Sequence, residues 1–309
     1  MYTFANELIN KGMNMNKKQF DDFQREMARL SAIKYTSYEK TLKEIGVTYI
    51  AKCNVSAKLL HNQRLNMLTY GLYLASSDAS GINVCPNSEM CRESCLVSSG
   101  YAKIDNLAGN NKVTRSRIIK TRLFFANRKL FMKLMVMEIN RAINKAKREN
   151  MEFSIRLNCT SDISPTVFVY NGKNILDMYP NVQFYDYTKN KHRWNVAKRY
   201  RNYYLTFSRD GSKENEKECL EWLNSGNTVA VVFGVTKKED LPRKWKGYDV
   251  LCGDDYDYRP WDKLTGKQIV GLYYKVGSND FKVVNGKHYF KGVPNTPFII
   301  QPDDKDCEY

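Results

Sequence analysis

Apolar residues recur at steps of three and four through Phe20, Phe23, Met27, Leu30 and Ile33, the stripe of an amphipathic helix. Thr36 with Glu39 reads as a capping box that opens a second helix, which runs to Ile45 and stops at Gly46. From Val47 onward the texture changes. Short β-branched and aromatic runs at 66–75, 153–159, 182–187, 203–207, 228–233, 248–252 and 269–276 predict strands. Helical patterns separate them at 114–148, 174–179, 193–200, 213–223 and 237–245. Strands alternating with helices imply crossovers and a parallel sheet. With no dinucleotide glycine fingerprint between them, the pattern predicts an α/β protein: a partial or open parallel (β/α) barrel over 51–309, behind an N-terminal helical extension over 1–50. That extension suits an arm, a dimerisation element or a layer on the main domain, and the pattern sets no oligomeric state.

Hydrophobic residues make up 42% of the chain and aromatics 13%, enough for a sizeable core. No run approaches the roughly eighteen apolar residues of a membrane span, so no membrane partner is expected. Met1 to Glu7 lack a basic region followed by an apolar run, and a cytoplasmic protein is expected. In that setting the eight cysteines read as reduced side chains or ligands rather than disulfides. Cys53, Cys159, Cys219, Cys252 and Cys307 are scattered singly, whereas Cys85, Cys91 and Cys95 fall in one C-x5-C-x3-C loop after the first predicted strand.

Three thiolates on one loop suit a [4Fe-4S] cluster that leaves one iron open, and zinc is the rival metal. Zinc would need a fourth ligand from Cys159, Cys252 or one of His61, His192 and His288. Unliganded cysteines are the third reading. An open iron could take a small molecule such as S-adenosylmethionine.

The charge of +16 is regional. Between Lys112 and Arg148 twelve basic residues meet one acid, Glu138, and between Lys189 and Arg201 six meet none. Such a distribution predicts a surface for a polyanion, with solvated helix faces as the bland alternative. The expected nucleic-acid contacts are Arg115, Arg117, Lys120, Arg122, Lys191, Arg193, Arg199 and Arg201. At the carboxyl ends of the strands, where a parallel barrel gathers its chemistry, Asp162, Asp254 and Asp255 are the candidate catalytic acids. Ordinary turn chemistry is the competing explanation for each. Gly-x-Ser-x-Gly, Walker and His-Glu-x-x-His motifs are absent, so nucleophilic-serine, phosphate-loop and zincin mechanisms are not expected.

Several of these pieces resemble the phage "gene product 88" family. They are Ser56-Ala57-Lys58, Cys85-Pro86 through Cys95, a basic helix with Arg122 and Asn127, Ile155-Arg156-Leu157 before Ser161-Asp162, Phe184 through Lys189, and Gly253-Asp254. The resemblance spans roughly 55–280 and implies a phage protein, in the host cytoplasm, with a barrel similar to radical S-adenosylmethionine enzymes. Leu96 stands where relatives commonly carry an aromatic, the carboxyl terminus keeps Cys307 without a cysteine knot, and no C-x3-C-x2-C spacing or Gly-Gly-Glu run is present. The combined expectation is an iron–sulfur protein acting on or alongside nucleic acid. The alternatives are a non-catalytic DNA- or RNA-binding protein with a structural metal, and a host-directed effector binding a protein.

Overall fold

The computed structural model describes residues 15–92, 95, 103, 110–284 and 287–309. Helix α1 (Lys17–Ala32) starts at Asn16, whose side chain accepts from the Gln19 amide while Gln19 answers the Asn16 amide. Phe23 and Leu30 form its buried stripe. Helix α2 (Tyr38–Ile45) is capped by Ser37, one residue later than the pattern predicts, because Thr36 instead gives its amide to Thr41 Oγ1. Gly46 then closes the helix at φ +91°, a left-handed turn for which glycine is suited. Leu30, Ile33, Leu42 and Ile45 join the same hydrophobic cluster as the sheet, so these two helices are packed layers over their described length.

The predicted long helix is two. Helix α4 (Lys112–Ala126) ends and α5 (Arg128–Arg148) begins at Asn127, which lies between them at φ −144°. Its Oδ1 caps the Leu130 amide, and its Nδ2 donates to the Leu30, Ser31 and Ile33 carbonyls at the end of α1. An apolar period that continues across Asn127 hides this break, since the residue serves as cap and dock together.

All seven predicted strands are present: β2 (Met67–Gly71), β3 (Glu152–Arg156), β6 (Gln183–Thr188), β7 (Tyr203–Ser208), β8 (Val229–Phe233), β10 (Tyr248–Cys252) and β11 (Ile269–Tyr273). They lie parallel in the order β2-β3-β6-β7-β8-β11-β10, with β11 slotted between β8 and β10. Short β1 (Lys52–Cys53) runs antiparallel to β2 on one flank; on the other, β9 (Lys244–Trp245) runs antiparallel to β10, and β15 (Cys307–Glu308) antiparallel to β9 in turn. Strand β14 (Ile299–Ile300) continues on β8 past the two residues that pair with β7. The ladder ends at β1 and β15, so the sheet does not close, and the architecture is a mixed α/β fold on a large, mostly parallel sheet.

Register explains why its faces differ. Tyr70, Ile155, Phe184 and Tyr203 are neighbours across β2, β3, β6 and β7, and Phe207, Val229, Ile269 and Val250 across β7, β8, β11 and β10; all eight belong to the main core. The alternate positions face the other way. There Thr69, Ser154, Arg156, Tyr185, Tyr187 and Thr206 are polar, while Ala230, Leu251 and Val270 form a small apolar floor. Short α3 (Ala57–Leu60), α6 (Ile175–Met178), α7 (Arg193–Arg199) and α8 (Lys213–Asn224) occupy the connections. The helix expected over 237–245 is instead a single 3-10 turn at Lys238–Asp240 followed by β9, because Pro242 holds Leu241 extended at ψ 141°. Two antiparallel pairs outside the main sheet, β4 (Val169–Tyr170) with β5 (Lys173–Asn174) and β12 (Phe281–Val284) with β13 (Lys287–Phe290), were not anticipated.

Because Asn127 is at once a helix cap and the donor to three carbonyls at the end of α1, Asn127→Ala is expected to lower stability by about 2 kcal/mol. The urea midpoint of the purified protein measures it, and an unchanged midpoint would show that the two helices do not depend on this joint.

Candidate functional site

The parallel strands bring their carboxyl ends to one edge, and the cysteine loop leaves from there after β2. It is strapped to its neighbours by main-chain and side-chain bonds. Val84 O accepts the Asp162 amide at 2.8 Å, and Asn87 Nδ2 donates to Lys189 O at 2.9 Å. Within the loop, Asn83 Oδ1 accepts the Cys85 amide, and Ser77 and Ser88 hydroxyls pair at 3.1 Å. The loop thus rests on the ends of β3 and β6. Cys85, Cys91 and Cys95 are each half-buried and unbonded to one another. Burial would lower the ammonium of Lys189, at the end of β6, but its surroundings outweigh that and raise it; Asp162 supplies a carboxylate there, and Cys91, Cys95 and Cys85 act in the same direction once ionised. Burial pushes the Cys85 thiol up to about 12 and raises that of Cys91 as well, so both are protonated thiols as they stand. Among the described residues, no three His, Cys, Asp or Glu side chains come close enough together to hold a metal ion.

The three candidate acids do not form one set. Asp162 is fully engaged: Oδ1 accepts from Thr188 and from Arg193 at 2.7 and 2.5 Å, and Oδ2 from the Lys189 amide at 2.9 Å. Asp254 turns toward Lys275, 3.2 Å away, and its carbonyl meets His61 Nδ1 at 2.7 Å. Asp255 points outward, half-exposed, to the surface Lys238. The pair adjacent in sequence is therefore divided between the inner face and solvent.

The carboxylate that organises the inner face is Asp257, which the sequence reading passed over. It is fully buried. Arg156 Nη1 donates to both of its oxygens at 2.7 and 2.9 Å, Tyr185 Oη donates at 2.8 Å, and Lys58 Nζ lies 3.4 Å away. Burial alone would raise its pKa, but Arg156, Lys58 and Arg259 outweigh burial and hold it well below the usual carboxylate range. Asn62 fixes the turn from beneath, accepting the Asp257 and Tyr258 amides at 2.7 Å each while donating to Thr69 and Tyr185. Tyr187 lies under both cations, 4.6 Å from the Arg156 guanidinium and 5.1 Å from the Lys58 ammonium. These contacts carry the turn after β10 back over β2, β3 and β6. On the same turn Asp262 sits beside Arg259, and burial pushes its carboxyl up to about 6.

The basic residues separate into groups by exposure. Lys120 and Arg193 are corrections to the expected phosphate contacts. Lys120 is 3% exposed with its ammonium 4.2 Å from the Tyr49 ring, and burial lowers it to about 8. Arg193 is 2% exposed and clamps Asp162, Asp186 and Tyr203. Arg122 donates to Ser80 O and covers Phe23, Arg117 covers Tyr73, and Lys191 pairs with Glu221 at 2.7 Å. Arg115, Arg199 and Arg201 remain exposed. Summing charge along a sequence cannot see which cations the fold turns inward onto rings and carboxylates.

Two outcomes follow for the inner network. Arg156→Met leaves a buried carboxylate short of its principal cation and is expected to cost about 3–5 kcal/mol, read as a drop in urea midpoint at neutral pH. Asp262, with a folded pKa near 6 against about 3.9 unfolded, binds more protons folded than unfolded. Stability should therefore fall as pH rises from about 4 to 6, by on the order of 2 kcal/mol, and Asp262→Asn should abolish that slope. A wild-type stability curve that rises across the same interval even after Asp262→Asn is subtracted would contradict this assignment.

The profile of the family described as Gene product 88 matches residues 39–283. No curated protein and no solved structure matches the chain. The matched span begins in α2, takes in the cysteine loop, both buried ion-pair networks and every parallel strand of the sheet except β14, and ends in β12. On that match, over more than half of its length, the chain belongs to the phage gene product 88 family.

Proposed function

We propose that this phage protein carries a metal centre, an iron–sulfur cluster, on Cys85, Cys91 and Cys95, and that it acts on or alongside nucleic acid. The observation that carries the metal half is three half-buried thiols on one loop, which Asn87 straps to the Lys189 carbonyl at the carboxyl edge of the parallel sheet. The donor set fits in kind, because sulfur ligands select zinc or iron–sulfur centres over hard cations. Their present spacing does not yet close on a metal. Loading therefore includes loss of the thiol protons and tightening of the loop, the usual coupling of metal binding to local folding. Lys189 favours the thiolate forms electrostatically. When bound, a cluster on three cysteines supplies electron transfer or an open iron for a small molecule such as S-adenosylmethionine.

The protein's own residues do the positioning. Arg193 and Asp162 hold the end of β6, and with it Lys189, against the loop. Lys58, Arg156 and Tyr187 line the inner face near the same strand ends. The nucleic-acid half draws on exposed cations: Arg115 on α4, Arg141, Lys147 and Arg148 on α5, and Arg199 and Arg201 around the end of α7. After anaerobic preparation, iron and sulfide are expected at about four each per chain with broad absorption near about 400 nm. Cys85→Ala, Cys91→Ala and Cys95→Ala should each remove both, and Cys53→Ala should remove neither. Stoichiometric zinc in place of iron would overturn the cluster, and the absence of any metal would overturn the metal centre.

A further inference from the structure

We infer that the ribbon of β12 and β13 is a docking element for single-stranded nucleic acid. This rests on the nucleic-acid half of the reading above and names the surface that half requires. The two strands pair with each other, Phe281 opposite Phe290 through Val284 opposite Lys287, and stand outside the eleven-stranded sheet. Val283 is 62% exposed, Tyr289 46%, Phe290 45% and Val284 45%, an apolar surface that one free-standing hairpin would not ordinarily leave in water.

The base of the ribbon is anchored. Buried Asp280 accepts from Tyr274 Oη at 2.8 Å and from the Gly277 amide at 2.6 Å, and its carbonyl takes the Lys291 amide at 2.8 Å. The ribbon is therefore presented from a fixed point just beyond β11. A two-stranded hairpin alone is marginal in water, and one of its faces supplies the missing cohesion. Phe281 packs on Phe290 and His288, with ring centroids 5.9 and 6.4 Å apart.

Directly paired residues share a face, so the opposite face carries Lys282, Val284, Lys287 and Tyr289. There the Tyr289 ring lies across from Lys282 and two positions along its own strand from Lys287. An exposed aromatic residue sharing a face with two lysines matches the chemistry of a single strand, whose bases stack on aromatic faces while cations meet the phosphates. The stretch from Phe281 to Lys291 contains three lysines and a histidine and no acid, so its charge is complementary to a polyanion. In a duplex the bases are already stacked and would give the ring nothing to do.

The test uses the full chain and a fluorescently labelled oligothymidine. Tyr289→Ala is expected to weaken binding about tenfold, and Tyr289→Phe to keep it. Lys282→Gln with Lys287→Gln should flatten the slope of log affinity against log salt by about 1.4, at about 0.7 per phosphate on single strands. All of these side chains are exposed, so an unchanged urea midpoint certifies the fold. If the wild type binds the oligonucleotide and these variants bind it equally well, the ribbon is not the docking element, while the nucleic-acid reading survives. If the variants lose binding to anionic phospholipid vesicles and keep the oligonucleotide, the inference likewise falls. If the wild type retains no nucleic acid at about 50 mM salt, both fall together.

Discussion

A carboxylate with no exposed surface is tolerable only when its counter-charges arrive with it, and Asp257 imposes that condition on the whole inner face. Its partners come from α3, β3, β6 and its own turn, segments spread over some two hundred residues of chain. Each partner is then constrained in turn: Arg156 and Lys58 converge above Tyr187, and Asn62 is pinned between the turn and Thr69. Removing one charge from such a group is costly because the remaining ones stay buried without compensation. The polar half of the sheet is held by this arithmetic of charge, whereas the other half is held by a continuous row of apolar neighbours.

A second clamp works on the opposite side of β6. Arg193 bridges Asp162, from the loop after β3, to Asp186, within β6 itself. Asp186 also gathers the Asn158 amide and side chain, so the ends of two adjacent strands are locked at the level where the cysteine loop crosses them. The loop that carries the thiols is thus laid on a rigid shelf. This is the arrangement a site needs when its own ligands must still move by a small amount.

The seven parallel strands were legible because each is a short β-branched or aromatic run between turn residues, and burial on one face rewards that pattern directly. The edge strands were not, since two-residue pairings such as Lys52–Cys53 leave no periodicity to read. The ribbon at 281–290 could have been found: Asn285-Gly286 between two β-rich tetrads is a strong hairpin signal. At the site, residue type pointed to Cys85, Cys91, Cys95, Asp162, Asp254 and Asp255. It did not separate Asp257 from Asp254 and Asp255, because an aspartate-rich turn reads the same whether its members face solvent or are sealed inside. The basic stretches were legible only in part, for the matching reason. Lys120 and Arg193 look like surface cations in sequence, and only packing shows that a ring and two carboxylates have claimed them.

The placement of β11 between β8 and β10 has a consequence for how the chain is made. Strand β10 ends at Cys252 and β11 at Tyr273, so β8 and β10 emerge from the ribosome before the strand that joins them. At ordinary elongation rates the gap lasts roughly one to four seconds. Over that interval β8 and β10 lack the strand that pairs with both, and an unpaired, valine-rich strand edge is a template for pairing with another chain. Gly271, where a Cβ would meet Val250 Cγ1 at 2.5 Å, is the residue whose lack of a side chain lets β11 lie this close to β10.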